Sequence, residues 1–503
     1  MSTRLHRKGV LQLFNHLCPL FKYFYEIVQA MKFTSTLLAL LLSLCVAAQN
    51  GYEIKITLKP FKNQWVYLGH YFGKRLPIVD SVLLNEKSEG VFKGSQKLGG
   101  GIYLVGFPDR ARNFEILIDK NQHFSIVADT ANIQKVNFIN SPDNVAFKAY
   151  QEYMTVNGKA LDALYLKRKG TNKQDSIKLT GQIEDLNNKI KNYRSAIITK
   201  EPNSFLAVLL KSMKEPEVPK NDPAAKNDSL FVYHYFKKHF WDDVNLMDDR
   251  MARTPFLEPK IDRYLEQLVY PSSDSVIKEL DWMMSYANVN EEMQRFMLIK
   301  FVNRYINQKY MWEDAVFVHL FEKYFAQKNY SWLADAGRKN ITDRAYSLMA
   351  NIMGSPAPEV ELPDSMGQKR NLYGVEAPFV LVAIWDPTCG HCKETLPMLD
   401  SIYRAKWKGY GLKIFALAKE TDGTKKDWTS FIQKNNLNEW VHVYYSKEDD
   451  KARTNANIPG YSQLYDVQSF PTLYLLDKDK RIIAKKVSFE QVDEILQYKL
   501  KNR

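Results

Sequence analysis

One stretch of the chain, FVLVAIWDPTCGHCKETLP at residues 379–397, constrains the fold more than any other. It opens with a continuous apolar run whose length and composition are typical of a strand buried on both faces. The residues after the run predict a helix that begins at the two cysteines and continues past Pro397 to about Trp407. A buried strand that passes directly into a helix indicates an α/β sheet, with Cys389 and Cys392 where the helix begins.

The sequence around this stretch predicts the rest of an α/β domain. Two further strands, GLKIFALA and WVHVYYS, lie on either side of a predicted helix, KKDWTSFIQKNN. PTLYLLD and RIIAKKV are typical of an antiparallel pair across KDK, and SFEQVDEILQYKL predicts a closing helix. The order βαβα followed by ββα implies a central sheet with helices on both faces. The proline-rich segment MGSPAPEVELPD marks the start of this domain, residues 353–503.

The chain before this domain has two segments with different patterns, because 503 residues are too many for one hydrophobic core. Residues 49–142 show short alternating apolar runs at about ten-residue spacing, which predict an antiparallel β-domain built as a small sandwich. Residues 143–352 have a helical pattern, in which one apolar stripe runs through Leu179, Ile183, Leu186 and Ile190. The expected order is therefore an N-terminal all-β domain, a central all-α domain and a C-terminal α/β domain.

The N-terminus has the pattern of a targeting segment. From Met31 the chain reads MKFTSTLLALLLSLCVAAQN, a basic start followed by an apolar run and small residues. Val46 and Ala48 fit the small-x-small rule of signal-peptidase cleavage, so residues 1–48 are interpreted as an upstream extension and a secretory signal peptide. We therefore expect a protein exported to the periplasm or cell envelope. A lipid anchor on Cys45 is the alternative.

Charge and cysteine content restrict the classes of function that fit the chain. The formal net charge is +13, but lysines and arginines are spread along the chain with no basic run interleaved with aromatics. This pattern favours a solvated cationic surface over nucleic-acid binding. Of the four cysteines, Cys18 and Cys45 lie in the predicted leader. An exported protein left with Cys389 and Cys392 alone has no disulfide scaffold.

Three uses of this cysteine pair are conceivable: a metal site, a structural staple and a reacting dithiol. A structural zinc site needs four ligands, and the sequence has no second CxxC and no His-x-x-His pair beside the first. A staple across two residues would constrain little chain entropy. A reacting dithiol is favoured, with no metal and no cofactor expected.

The position of each residue in CGHC assigns it a role. Cys389 lies at the helix N-terminus, where free backbone N–H groups and the helix dipole favour a thiolate, so it is the predicted nucleophile. Cys392, nearly one turn later, is the predicted resolving thiol that attacks the mixed disulfide. His391 lies between them, and a protonatable imidazole there would stabilise the reduced form of Cys389. We therefore expect a relatively oxidising or isomerase-competent potential.

The same residues resemble a known family. FVLVAIWDPTCGHCKETLP is similar to the active-site strand and helix of the exported TlpA/ResA-like thiol–disulfide oxidoreductases, which have a thioredoxin fold, and SFPTLYLLDKDKRIIAKK is similar to their cis-proline loop. The domain order resembles multi-domain members from Gram-negative, Bacteroidetes-type cell envelopes. The resemblance implies that Pro471 is the cis residue and that the substrate-binding residues are Trp385, Phe470, Pro471 and Thr472.

The chain also departs from the family pattern. The buried acid that many thioredoxins place in the strand before the motif is replaced by Ala383, and the acid two residues before the helix proline is replaced by Thr395. Glu394 and Asp386 are the remaining candidates for proton handling. Each of them also fits the interpretation of a solvated acid at a helix start.

Two hypotheses about function follow. In the first, the protein is an enzyme that exchanges disulfides with client proteins carrying thiols or disulfides, and a membrane or envelope redox partner recharges its dithiol. In the second, it is an envelope interaction protein that binds through its β and helical domains and retains only residual redox activity.

Overall fold

The computed structural model describes residues 51–130, 135–219, 222–226, 228–422 and 424–502. The predicted leader, with Cys18 and Cys45, lies outside the described residues. The chain divides into two compact units, Met1–Lys260 and Ile261–Arg503. The division falls inside the segment 143–352 that the sequence analysis treats as one helical domain, and the boundaries of that domain stay a prediction.

The first unit begins with two four-stranded sheets. The strands are β1 (Tyr52–Lys59), β2 (Trp65–His70), β3 (Ile78–Leu83), β4 (Glu89–Gly94), β5 (Gly101–Gly106), β6 (Asn113–Ile118), β7 (His123–Asp129) and β8 (Asn137–Ile139). One sheet has the order β4-β1-β7-β8 and the other β3-β2-β5-β6. Alternate residues of β1, Ile54, Ile56 and Leu58, join residues of the second sheet such as Val66 in one apolar core. This packing confirms the predicted sandwich-like β-domain.

The pairing of the sheets corrects the sequence prediction in two respects. Strands β1 and β7 run parallel, so the domain is not purely antiparallel. The strands of the second sheet come between β1 and β7 in the chain, and such a long connection allows a parallel return. Strand β4 was not predicted, since Phe92 is its only buried residue and a period of two cannot show in a single position.

Helices complete the first unit. They are α1 (Pro142–Arg168), α2 (Lys173–Lys200), α3 (Phe205–Ser212) and α4 (Phe231–His239), with 3₁₀ turns at Pro223–Lys226 and Asp249–Arg253. Two residues of the predicted stripe on α2, Ile183 and Ile190, are buried. Ser204 caps α3, since its hydroxyl accepts a hydrogen bond from the Ala207 N–H at 3.2 Å.

The second unit opens with a helical region. Helix α5 (Leu257–Gln267) contains the point of division and is followed by α6 (Ser273–Ala287), α7 (Glu291–Tyr305), α8 (Glu313–Leu320), a π turn (Phe321–Phe325) and α9 (Asp335–Met349). The side chains that these helices bury are almost all aliphatic, aromatic or methionine. The predicted central helical region is therefore confirmed as a packed structure.

The rest of the second unit is the α/β domain. A hairpin of β9 (Glu361–Pro363) and β10 (Lys369–Asn371), which the sequence did not predict, precedes β11 (Phe379–Trp385), α10 (Gly390–Ile402), a π turn (Tyr403–Trp407), β12 (Leu412–Lys419), α11 (Lys425–Lys434), β13 (Val441–Tyr445), α12 (Lys447–Asn455), α13 (Tyr461–Leu464), β14 (Thr472–Asp477), β15 (Ile482–Lys485) and α14 (Phe489–Lys501). The five-stranded sheet has the order β13-β12-β11-β14-β15. Strand β11 is parallel to β12 and antiparallel to β14.

Strand β11 is the central strand of this sheet and is buried on both faces. Phe379, Leu381, Ala383 and Trp385 point into one core cluster, whereas Val380, Val382 and Ile384 point into another. The alternation explains why the run FVLVAIW is continuously apolar: a central strand covered on both faces has no polar side. The end of β11 at Trp385 also sets the point at which the chain leaves the sheet and enters α10.

Candidate active site

The two cysteines occupy the first turn of α10. Cys389 is the N-cap residue of the helix, and its Sγ accepts a hydrogen bond from the backbone N–H of Cys392 at 3.4 Å. That N–H is one of the donors that the start of a helix leaves without an intrahelical partner. The sulfur of Cys389 therefore lies where the helix offers both a donor and the positive end of its dipole.

The two thiols differ in exposure. Both are free, Cys389 being partly exposed and Cys392 buried with 0% of its surface accessible. Burial raises the pKa of the Cys392 thiol, and the neighbouring Cys389 and the charge of Asp386 raise it further, against a backbone hydrogen bond from Asp386 that lowers it. The outer thiol is open to a large disulfide, whereas the inner one has no accessible surface.

The cis-proline loop lies against the outer thiol. The Phe470–Pro471 peptide bond is cis, and the Cys389 thiol donates to the Phe470 carbonyl oxygen at 3.8 Å. The antiparallel pairing of Ile384 with Thr472 brings this loop to the end of the sheet from which α10 starts. Phe470 and Pro471 are both partly exposed beside the sulfur.

Two of the four predicted substrate-binding residues are buried. Trp385 is 0% exposed and its ring packs against Phe431 with the centroids 5.2 Å apart. As the last residue of β11 on the alternating core face, it supports the site from below and has no surface for a substrate. Thr472 is also buried, and its hydroxyl donates to the Ser469 carbonyl at 2.6 Å, which ties the loop to itself. Of the four predicted residues, only Phe470 and Pro471 have surface that a substrate can reach.

The two candidate proton-handling acids lie in different environments. Glu394 is exposed on α10. Asp386 is only 2% exposed, and its Oδ1 accepts from both the backbone N–H and the hydroxyl of Thr388, each at 2.6 Å. The interpretation of Asp386 as a solvated helix-start acid is therefore wrong: the turn between β11 and α10 folds over it, and its backbone carbonyl accepts from the Cys389 N–H at 3.2 Å.

The remaining predicted residues occupy distinct places. His391 is exposed in the first turn of α10, on the solvent side of the buried Cys392. Ala383, in place of the family acid, is fully buried in the core below. Within the described ranges, no group of three or more His, Cys, Asp or Glu side chains is placed to hold a metal ion.

The residues that hold the loop before Pro471 were not among the predicted site residues. Asp466 is 6% exposed and has a positive φ of 44°. Its partners are Lys486 and Arg344, the latter 122 residues away in sequence. An aspartate in a loop was the only local signal in the sequence, and DVQS gives no indication of a partner so distant.

Known proteins match two parts of the chain. A family model described as thioredoxin-like matches residues 378–482, a range that contains both cysteines and Pro471, and a model for a domain of unknown function (DUF5106) matches residues 169–350. Over 150 residues, 30% of the chain, the sequence is 30% identical to thiol-disulfide oxidoreductase ResA of Bacillus anthracis and covers 77% of that protein.

Two further matches have lower identity. ResA of Bacillus cereus (strain ATCC 10987 / NRS 248) is 29% identical, again over 150 residues, with 30% of this chain and 77% of that protein covered. Among solved structures, a thioredoxin-like protein from Bacteroides caccae ATCC 43185 aligns with a TM-score of 0.41 and 21% identity, over 57% of this chain and 98% of that one. None of the described helices is both long enough and apolar enough to cross a membrane.

Proposed function

The chain belongs to the family of ResA-like thiol–disulfide oxidoreductases, and from that premise we propose that it exchanges disulfides with client proteins through Cys389 and Cys392. The observation that carries the proposal is the arrangement of the two sulfurs: a partly exposed Cys389 caps α10, and a buried Cys392 lies behind it in the same turn. An outer attacking thiol and an inner resolving thiol are what a two-step exchange requires.

In the reducing direction, the Cys389 thiolate attacks one sulfur of the client disulfide. A bond forms between Cys389 and that sulfur, and the other client sulfur leaves as a thiolate that takes up a proton. Cys392 then loses its proton and attacks the Cys389 sulfur, which releases the second client thiolate and closes the Cys389–Cys392 disulfide. Two electrons pass from the protein to the client, and the reverse sequence oxidises a client dithiol.

The second step requires a base, because the buried Cys392 thiol has a raised pKa. We assign the role of this base to Asp386, because its carboxyl group is enclosed in the turn that leads to Cys389 and its charge acts on Cys392. Glu394 is exposed on α10 and is not enclosed in this way.

The setting of the reaction is part of the proposal. The leader pattern that begins at Met31 supports export to the periplasm or cell envelope, with lipid attachment through Cys45 as the alternative. Clients there carry disulfides, and a membrane or envelope redox partner would return the dithiol to its starting state. The β-sandwich and the helical region would position clients or this partner.

Turnover of a protein disulfide tests the proposal. Reduction of insulin disulfides by the full mature chain, with dithiothreitol to recharge it, should fall to the uncatalysed rate in Cys389→Ser. A matched Ser401→Ala variant, altered at the end of α10 but not in the dithiol, should keep the wild-type rate. Equal rates for wild type and Cys389→Ser would reject the enzyme and favour the alternative of an envelope interaction protein with residual redox activity.

A further inference from the structure

The segment that leads into the cis-proline loop is held at three successive residues. The carbonyl of Leu464 accepts from the Asn351 side-chain amide at 2.9 Å, and the carbonyl of Tyr465 accepts from the Tyr474 hydroxyl at 2.6 Å. The carboxylate of Asp466 then accepts from Arg344 Nη1 at 2.7 Å and from the Lys486 ammonium. Residues 464–466 are thus fixed from outside their own loop.

Two of these anchors belong to the helical region and its end. Arg344 lies on α9, within the residues 169–350 that match the domain of unknown function. Asn351 follows the same helix, is fully buried, and in turn accepts from the Lys485 ammonium at 2.7 Å. Lys485 also pairs with the buried Asp314 of α8 at 2.6 Å. The helical region therefore contacts the edge strand β15 and the loop through buried polar groups.

The guanidinium of Arg344 is itself held in place. Its Nε donates to the Ile306 carbonyl at 3.0 Å, and its Nη2 donates to the Gln308 side chain. Burial alone would raise the pKa of Asp466, but the hydrogen bonds from Arg344 and Lys486 outweigh it and keep that pKa below its ordinary value. A charged carboxylate with two cationic partners and little solvent contact is a firm anchor.

This anchor lies four residues before the carbonyl that meets the reacting sulfur. The chain runs from Asp466 to Phe470, whose carbonyl oxygen faces the Cys389 thiol. We propose that Arg344 is a positioning residue for disulfide exchange: through Asp466 it fixes residues 464–470, and with them the loop against which a client disulfide reaches Cys389. The inference rests on the proposed function and assigns to the helical region a part in the reaction itself.

The test compares two arginines of the helical region in the full mature chain. Arg344→Gln removes the anchor, whereas Arg304→Gln removes a similarly shielded arginine that pairs with Asp262 and Glu266 and does not contact the loop. Hydrogen exchange of the amides of residues 464–470 should rise about tenfold in Arg344→Gln and stay unchanged in Arg304→Gln. Arg344→Lys, which keeps the charge, should restore part of the protection.

Kinetics separate positioning from a merely structural role. In Arg344→Gln, KM for insulin should rise about fivefold while kcat and the rate with the small disulfide DTNB change less than about twofold, because DTNB needs no ordered loop. Asp466→Asn should reproduce this split, and the double variant should be no worse than either single one. If Arg344→Gln does not fold, the same measurements on Asp466→Asn test whether the ion pair positions the loop.

Two results would overturn the inference. The first is unchanged hydrogen exchange of the amides of residues 464–470 in Arg344→Gln, and the second is equal kinetic changes in the Arg344 and Arg304 variants. The proposed function fails separately, through absence of insulin turnover by the wild-type chain. In that case the hydrogen-exchange measurement still decides whether Arg344 fixes the loop.

Discussion

The Cys389 sulfur lies 3.8 Å from the carbonyl oxygen of Phe470, a residue 81 positions further along the chain. Two separate parts of the fold meet at this contact: the start of α10 and the cis-proline loop that leads into β14. Because the sheet pairs β11 with β14 through Ile384 and Thr472, the contact follows from strand register. A client disulfide that reaches Cys389 therefore meets the loop as well as the helix.

The buried thiol should make the reduced protein sensitive to alkaline pH. The pKa of Cys392 is raised above its ordinary value of 9.0 in the folded state. The unfolded chain thus releases this proton first as pH rises, so the contribution of Cys392 to stability is fully present below about pH 9 and declines above it, by about 1.4 kcal/mol per pH unit. Denaturant unfolding of the reduced wild type and of Cys392→Ala, as a function of pH, measures the difference. Parallel pH profiles for the two proteins would contradict the raised pKa.

Asp386 should govern the resolving step and not the attack. Asp386→Asn keeps the size of the side chain and its acceptor oxygen for Thr388 but removes the base, so release of the mixed disulfide should slow by about 100-fold or more. Rapid-quench measurement of the mixed-disulfide lifetime gives this rate, and the alkylation rate of Cys389 reports the attack separately. Glu394→Gln is the matched control. A normal lifetime in Asp386→Asn would assign the proton to another group.

Trp385 should matter for stability and not for substrate affinity. Its ring is fully buried against Phe431, so Trp385→Ala should lower the free energy of unfolding by about 3–5 kcal/mol. Urea denaturation measures this loss. KM for insulin, measured where the variant is still folded, should stay within about twofold of wild type. A raised KM without a loss of stability would restore Trp385 to the substrate surface.

His391 should set the redox potential. It is exposed between the two cysteines, and a protonatable imidazole there would favour the reduced form of Cys389. His391→Pro should lower the reduction potential by about 30 mV, a tenfold change in the equilibrium constant with glutathione. Lys393→Gln, which removes a neighbouring exposed cation outside the CxxC, is the control and should shift the potential less. An unchanged potential in His391→Pro would remove the histidine from the account.

Local sequence patterns predicted the strand and the helix that carry the site. A run as apolar as FVLVAIW has no stable place except between two covered faces, and a CxxC at its end follows the chain into a helix. The order of the β, helical and α/β regions, the strands of the C-terminal sheet and the start of α10 were all predicted in this way. The proline at position 471 was identified by resemblance, and its cis bond is present in the structure.

Features that depend on tertiary packing or on distant partners were not readable from the sequence. Whether Asp386 is solvated depends on how Thr388 folds over it, and the side of β11 on which Trp385 lies depends on the register of the whole strand. The anchor between Arg344 and Asp466 joins residues 122 positions apart, with no motif at either end. Parallel pairing of β1 and β7 was missed for the same reason, since alternation within a strand does not show the direction of its neighbour.

The most direct measurement is a trap of the reaction intermediate. Cys392→Ser leaves the attacking thiol without its resolving partner, so incubation of the mature protein with an oxidised client should accumulate a covalent adduct through Cys389. Intact-mass spectrometry should show the added mass of one client, removable by dithiothreitol, and peptide mapping should place the bond on Cys389. The Cys389→Ser variant should give no adduct. If Cys392→Ser forms none either, or if the client is attached elsewhere, exchange through this dithiol is contradicted.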